Sequence, residues 1–135
     1  MASKPILTLA DAKRIAAAAE IEAQNNAWKV VIAIVDDGGH LIYLQREHDT
    51  QFGSVETAIM KANAAVAFQR PTKMSEDAVT SGRLIHLALP GVIPAEGGIP
   101  LLVSGIVVGG IGVSGVRSFQ DGQIAAAGAV VLEEK

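Results

Sequence analysis

Leu9, Ala12, Ile15, Ala16, Ala19 and Ala23 recur at three- and four-residue intervals, and Lys13, Arg14, Glu20 and Glu22 fall off that seam. The spacing predicts a first helix over about residues 9–26. Thr8, followed three residues later by Asp11, supplies a capping-box-like start. The many alanines suit close approach to a neighbouring element. Residues 30–35 then form an unbroken apolar, β-branched run, the mark of a strand covered on both faces. Asp36-Asp37-Gly38-Gly39 is dense turn chemistry, and residues 41–46 alternate as a second strand. Together these stretches predict a hairpin.

The helical period returns in Val55, Ala58, Ile59, Ala62, Ala65, Val66 and Gln69, with Ser54 as the expected N-cap and Pro71 as the stop. A shorter helix is expected from a Ser75 cap to about His86, with Glu76 and Asp77 in its first turn. Residues 90–100 carry three prolines and three glycines and read as loop with at most one short strand. Residues 101–103, the Ser104-Gly105 turn and residues 106–113 read as a second hairpin. Ser118 with Asp121 is expected to cap a last helix that turns Ile124, Ala125, Gly128, Val131 and Leu132 inward, leaving Glu133-Glu134-Lys135 solvated. The order is helix, hairpin, two helices, hairpin, helix. This is an α/β arrangement of the α+β kind, with an antiparallel sheet covered by helices.

Composition narrows the class. A chain of 135 residues that is 50% hydrophobic is expected to fold as one domain over residues 1–135, and it cannot be intrinsically disordered. The absence of cysteine excludes a disulfide scaffold, thiolate metal sites and a cysteine nucleophile. Net charge is −3, aromatics are 4%, and no Lys/Arg cluster occurs, so nucleic acid is not an expected partner. The most apolar stretch, residues 98–116, is interrupted by glycines and Pro100 and cannot be an unbroken membrane helix. The first residues lack an apolar signal region, so a cytoplasmic location is expected.

Several stretches combine in a recognisable order. They are Val35-Asp36-Asp37-Gly38-Gly39-His40-Leu41, Ser54-Val55-Glu56-Thr57-Ala58 with Lys61-Ala62, and Arg70-Pro71-Thr72. Pro90-Gly91-Val92, Glu96-Gly97-Gly98-Ile99-Pro100-Leu101, the run from Val108 to Gly115, and Gln120-Asp121 follow. Their joint order and spacing resemble the GlcG/HbpS family, which also includes the C-terminal domain of PduO-type proteins. The resemblance spans about residues 8–132. It implies a profilin-like fold with a five-stranded antiparallel sheet, and a homo-oligomer. It also implies a small-ligand binding role in which some members take haem and PduO-linked relatives interact with corrinoids.

The residues themselves leave the chemistry open. Gly110, Gly112 and Gly115 match G-x-G-x-x-G, yet they lie near the C-terminus with only Glu133 or Glu134 as the following acid, unlike a dinucleotide fold. The simpler reading is close packing of strand and last helix. Gly112-Val113-Ser114-Gly115 falls short of a nucleophile elbow because position 116 is Val. Ser114 and Gly115 are better candidates for hydrogen bonding to a ligand. His40, His48 and His86 show no i, i+4 spacing. With the resemblance in view, His86 and His48 rank as candidate haem axial ligands. Arg70 and Arg83 flank the Pro71-Thr72 loop, and with Thr72 they are candidates for an acidic ligand group beside an apolar slot. Glu96-Gly97-Gly98, between Pro94 and Pro100, offers open backbone to a ligand or to a second subunit.

Three readings follow. The first is a haem- or tetrapyrrole-binding groove walled by the second helix, residues 90–100 and residues 111–115. The second is an enzyme acting on a small organic acid in a catabolic pathway, with Asp36, Glu56, Lys61, Glu96 and His86 as candidates around a glycine nest. The third is a purely structural oligomer subunit.

Overall fold

The computed structural model describes residues 1–133. Glu134 and Lys135, which the sequence reading placed in a solvated tail, lie outside the described residues. The elements are α1 (Leu9–Asn25), β1 (Val31–Asp36), β2 (Leu41–Arg46), α2 (Gly53–Phe68), α3 (Lys73–Thr80), β3 (Gly98–Val103), β4 (Ile106–Ser114) and α4 (Ser118–Ala129). Short 3₁₀ turns occupy Leu84–Leu87 and Val130–Glu133. The expected order is therefore present, with three shifts. Ser54 lies inside α2, which starts at Gly53. Ser75 lies inside α3, which stops at Thr80 instead of reaching His86. The last helix is not capped by a Ser118–Asp121 pair; the Arg117 N–H donates to Gln120 Oε1 at 3.1 Å.

The sheet is antiparallel in the order β2-β1-β4-β3. Among the described residues it has four strands, not the five that the family resemblance implied. The stretch between α3 and β3 carries Pro90, Gly91 and Pro94 and runs as a 3₁₀ turn and loop. Proline lacks the N–H a ladder needs, so this segment cannot extend the sheet.

The sheet is covered on both faces, as the unbroken run at 30–35 predicted. Ile32 and Ile34 of β1, with Ile111 and Val113 of β4, join Ile15, Ala16 and Ala19 of α1 and Ile124 and Ala125 of α4 in the main core. Val31 and Ala33 point the other way, into a smaller cluster with Ala58 of α2. Alternate strand residues thus serve opposite layers. The Thr8–Asp11 capping box forms as expected, with the Asp11 N–H donating to Thr8 Oγ1 at 3.1 Å and the Thr8 N–H to Asp11 Oδ2 at 3.1 Å. The alanines of α1 let α4 come close: a Cβ at Gly128 would lie 3.0 Å from the Ile15 carbonyl oxygen.

Gly110 and Gly112 do pack closely, but against α2 rather than the last helix. A Cβ at Gly110 would lie 2.6 Å from the Ala62 carbonyl oxygen, and one at Gly112 would collide with the Ala58 carbonyl. A helix faced with Ala58, Ala62 and Ala65 is laid directly onto bare strand backbone. This sets the depth of everything attached to α2.

Candidate functional site

Lys61 is the consequence of that depth. It lies three residues after Ala58 and four before Ala65, on the sheet-facing side of α2, and is 3% exposed. Its ammonium donates to the Val113 carbonyl at 3.0 Å and to Asp121 Oδ2 at 3.1 Å. Asp121, in the first turn of α4, is 2% exposed and accepts at Oδ1 from the Val116 N–H at 3.2 Å. Burial pushes the Asp121 carboxyl up to about 6, against the opposing pull of Lys61. One ion pair thus ties α2, the end of β4 and α4 together.

Glu96, Gly97, Gly98 and Thr72 close around this pair. The Gly97 carbonyl accepts from the Val113 N–H at 2.9 Å. A Cβ at Gly97, where φ is 134°, would lie 2.6 Å from the Val113 carbonyl oxygen and 2.9 Å from Lys61 Nζ. Gly98 donates its N–H to Thr72 Oγ1 at 2.9 Å, and a Cβ there would collide with the Lys61 carbonyl. Glu96 is half-buried, and its carboxyl rests against Gly122. Burial, then the nearby Glu76 carboxylate, raises the Glu96 carboxyl above its ordinary value. The Glu96 N–H donates to Glu76 Oε1 at 3.0 Å. The structure therefore brings together five residues singled out in the sequence: Lys61, Thr72, Glu96, Gly97 and Gly98. The expected groove between the second helix, residues 90–100 and residues 111–115 is filled by these contacts, because Gly97 and Gly98 are buried against the chain's own α2.

The other candidates lie apart. Asp36 Oδ1 accepts from the N–H groups of Gly38 and His40, both at 2.9 Å, which makes it the turn residue of the first hairpin. Glu56 is exposed on a cleft of about 620 Å³ floored by Val55, Ile59 and Met60. His48 is solvent-facing, with Nε2 3.3 Å from Asp49 Oδ1. Ser114 is buried at the end of β4, and Gly115 follows it with φ 149°.

Arg70, Arg83 and His86 lie outside the Lys61 cluster. The Arg70 guanidinium sits 5.7 Å over the Phe68 ring, and its enclosed Nε makes no hydrogen bond. Gly91 approaches the same ring, its Cβ position lying 3.9 Å away. Arg83 opens the 3₁₀ turn Leu84–Leu87, from which Leu84, Ile85 and Leu87 project into solvent, followed by Leu89. His86 is half-buried among them, and its enclosed Nδ1 has no hydrogen-bond partner. The Leu84–Leu87 turn thus carries an imidazole nitrogen without a protein partner among exposed aliphatic side chains, with Arg83 at its start.

Asp121 is the residue that sequence reasoning missed, having been assigned to a cap. The available signal was Lys61 itself, since a cation on a buried alanine seam requires a buried acid elsewhere. Among the described residues no cluster of three or more His, Asp or Glu side chains forms a metal site, and no helix is long and apolar enough to cross a membrane.

Comparison with known proteins bears on the chain as a whole. The Escherichia coli (strain K12) protein GlcG is 42% identical over 114 residues, which cover 84% of this chain and 85% of that protein. A double mutant of HbpS from Streptomyces reticuli superposes with a TM-score of 0.86 at 32% identity, covering 98% of this chain and 90% of that one. A PduOC complex with haem superposes with a TM-score of 0.82 at 33% identity, covering 93% and 94%. Residues 7–130 match the family described as "Haem degrading protein HbpS-like", and with that span and these identities the chain belongs to the HbpS-like family.

Proposed function

We propose that this chain is a small-ligand binding protein of the GlcG/HbpS type that takes haem or a related tetrapyrrole. The observation that carries the reading is His86, whose enclosed Nδ1 lacks a partner within a turn that exposes Leu84, Ile85 and Leu87. The relative crystallised with haem supports the ligand class. In this reading His86 offers the imidazole, the aliphatic side chains cover the ring, and Arg70 and Arg83 hold the acidic substituents. Haem, when bound, would supply an iron that accepts an axial nitrogen. The organic-acid enzyme reading finds less support, since among its candidates the Lys61 side chain is 3% exposed and out of reach of a substrate and the Asp36 carboxylate is taken up by the first hairpin turn.

The same apolar turn supports self-association, because copies that pack there remove four large aliphatic side chains from water.

Hemin titration into the purified full chain tests the proposal. The expected result is a saturable Soret shift, weakened at least tenfold by His86→Ala and several-fold by Arg83→Gln. A wild-type chain that produces no Soret shift overturns it. Sedimentation of the same samples at the 14.0 kDa monomer mass would overturn the self-association.

A further inference from the structure

At the end of the sheet where β1 begins and β2 and β4 finish, the chain leaves a cleft of about 360 Å³. Trp28 and Lys29 wall it from the β1 side, Asp49 and Thr50 from the β2 side, and Gly115 and Val116 from the β4 side. It is separate from the Leu84–Leu89 locality and from the buried Lys61–Asp121 pair.

Two features converge here. Thr50 is 8% exposed, and its enclosed Oγ1 has no hydrogen-bond partner, although its N–H is held by the Glu47 carbonyl at 3.0 Å. An unpaired buried hydroxyl costs roughly 1–3 kcal/mol, so a polar partner for it is worth having. The second feature is a cation, the Lys29 ammonium at the mouth of the cleft. The starts of α2 and α4 add no free positive charge, because Glu56 and Asp121 lie in their first turns and the Val116 N–H already donates to Asp121 Oδ1.

The opposing groups are Asp49, 3.6 Å from Lys29 Nζ, Glu47 two residues before it, and Glu56 and Asp121 in the first turns of α2 and α4. Asp49 is solvent-facing and also pairs with His48. At that distance and exposure its hold on Lys29 is weak, and an incoming anion competes for the ammonium.

We infer that this cleft binds a small oxyanion, a carboxylate or a phosphate, through the Thr50 hydroxyl and the Lys29 ammonium. The Thr50 O–H donates to one anion oxygen, and Lys29 moves from Asp49 to another.

Trp28 is the chain's single tryptophan and lines the cleft, so its fluorescence reports occupancy. Acetate and inorganic phosphate are titrated separately at constant ionic strength, with chloride as the balancing anion. The expected result is a saturable fluorescence change with one of them and none with chloride. The anion that saturates identifies the source. Thr50→Val and Lys29→Gln should each weaken binding at least tenfold. Should Thr50→Val fail to fold, Lys29→Gln decides alone, because Lys29 is half exposed and its removal leaves the fold intact. Saturation by neither anion, or an unchanged affinity in Lys29→Gln, overturns the inference.

Discussion

Lys61 Nζ lies 3.1 Å from Asp121 Oδ2, across sixty residues of sequence, with each side chain 3% exposed. The two partners are not equivalent. Each keeps one backbone partner when the other is removed, the ammonium the Val113 carbonyl and the carboxylate the Val116 N–H, but only the carboxyl, already raised by burial to about 6, can become neutral by taking up a proton near neutral pH. Lys61→Met should therefore cost about 1–2 kcal/mol, the scale of one pKa unit. Asp121→Asn has a single side-chain oxygen, which can serve the Val116 N–H or the ammonium but not both, and it leaves a buried ammonium without a countercharge, so it should cost about 3 kcal/mol. Urea unfolding of the two variants measures the difference. Equal losses would show that the pair contributes packing and not charge.

The same carboxyl sets a pH dependence with a definite sign. In the folded chain burial holds Asp121 near 6, against an ordinary value of 3.8. The folded state therefore keeps this proton where the unfolded chain has released it. The stability this group contributes is complete below pH 3.8 and is lost as pH rises through 6. Glu96, also raised by burial, acts in the same direction. Asp11 acts oppositely, because its hydrogen bonds with Thr8 lower it, but its contribution is lost only below its ordinary value. Between pH 7.5 and pH 5 the melting temperature should rise by a few degrees, corresponding to about 1 kcal/mol. Asp121→Asn should flatten this trend in a calorimetric series. A melting temperature that falls on acidification over that window would contradict it.

The fold was legible where periodicity is strong. The alanine seam of α1 and the apolar run at 30–35 gave their elements and their double coverage directly. The Ser104-Gly105 turn was equally plain, with both residues at positive φ (50° and 78°), as a tight hairpin requires. The helix starts expected at Ser54 and Ser75 lie two and three residues past the observed N-caps Phe52 and Thr72, since neither serine supplies a cap hydrogen bond. The site was harder to read. Glu96, Gly97 and Gly98 were singled out as open backbone, but openness depends on the depth of α2, which is set by Gly98, Gly110 and Gly112 acting across three segments. Asp121 was hidden because an acid three residues into a helix is indistinguishable from a cap until its partner on α2 is placed. The sequence ranks His86 with His48 above His40 but offers nothing to choose between those two. The distinction of His86, an imidazole nitrogen without a partner, is a property of packing.

Gly112 tests whether helix depth governs the whole arrangement. A Cβ at that position would collide with the Ala58 carbonyl and lie 2.6 Å from the Ala62 N. Both are backbone atoms, so no side chain can rotate aside and α2 itself must lift from the sheet. Lifting α2 withdraws Lys61 from Asp121 and opens the contact between Lys61 and Gly98. Gly112→Ala should cost about 2–3 kcal/mol and lower the melting temperature by roughly 10 °C. Gly53→Ala is the matched control. It sits at the start of the same helix with nothing within 4 Å of its Cβ position. It should be neutral or slightly stabilising, because alanine favours the helix. A Gly112→Ala variant that melts with the wild type would mean the sheet yields instead, and that α2 depth does not fix the ion pair.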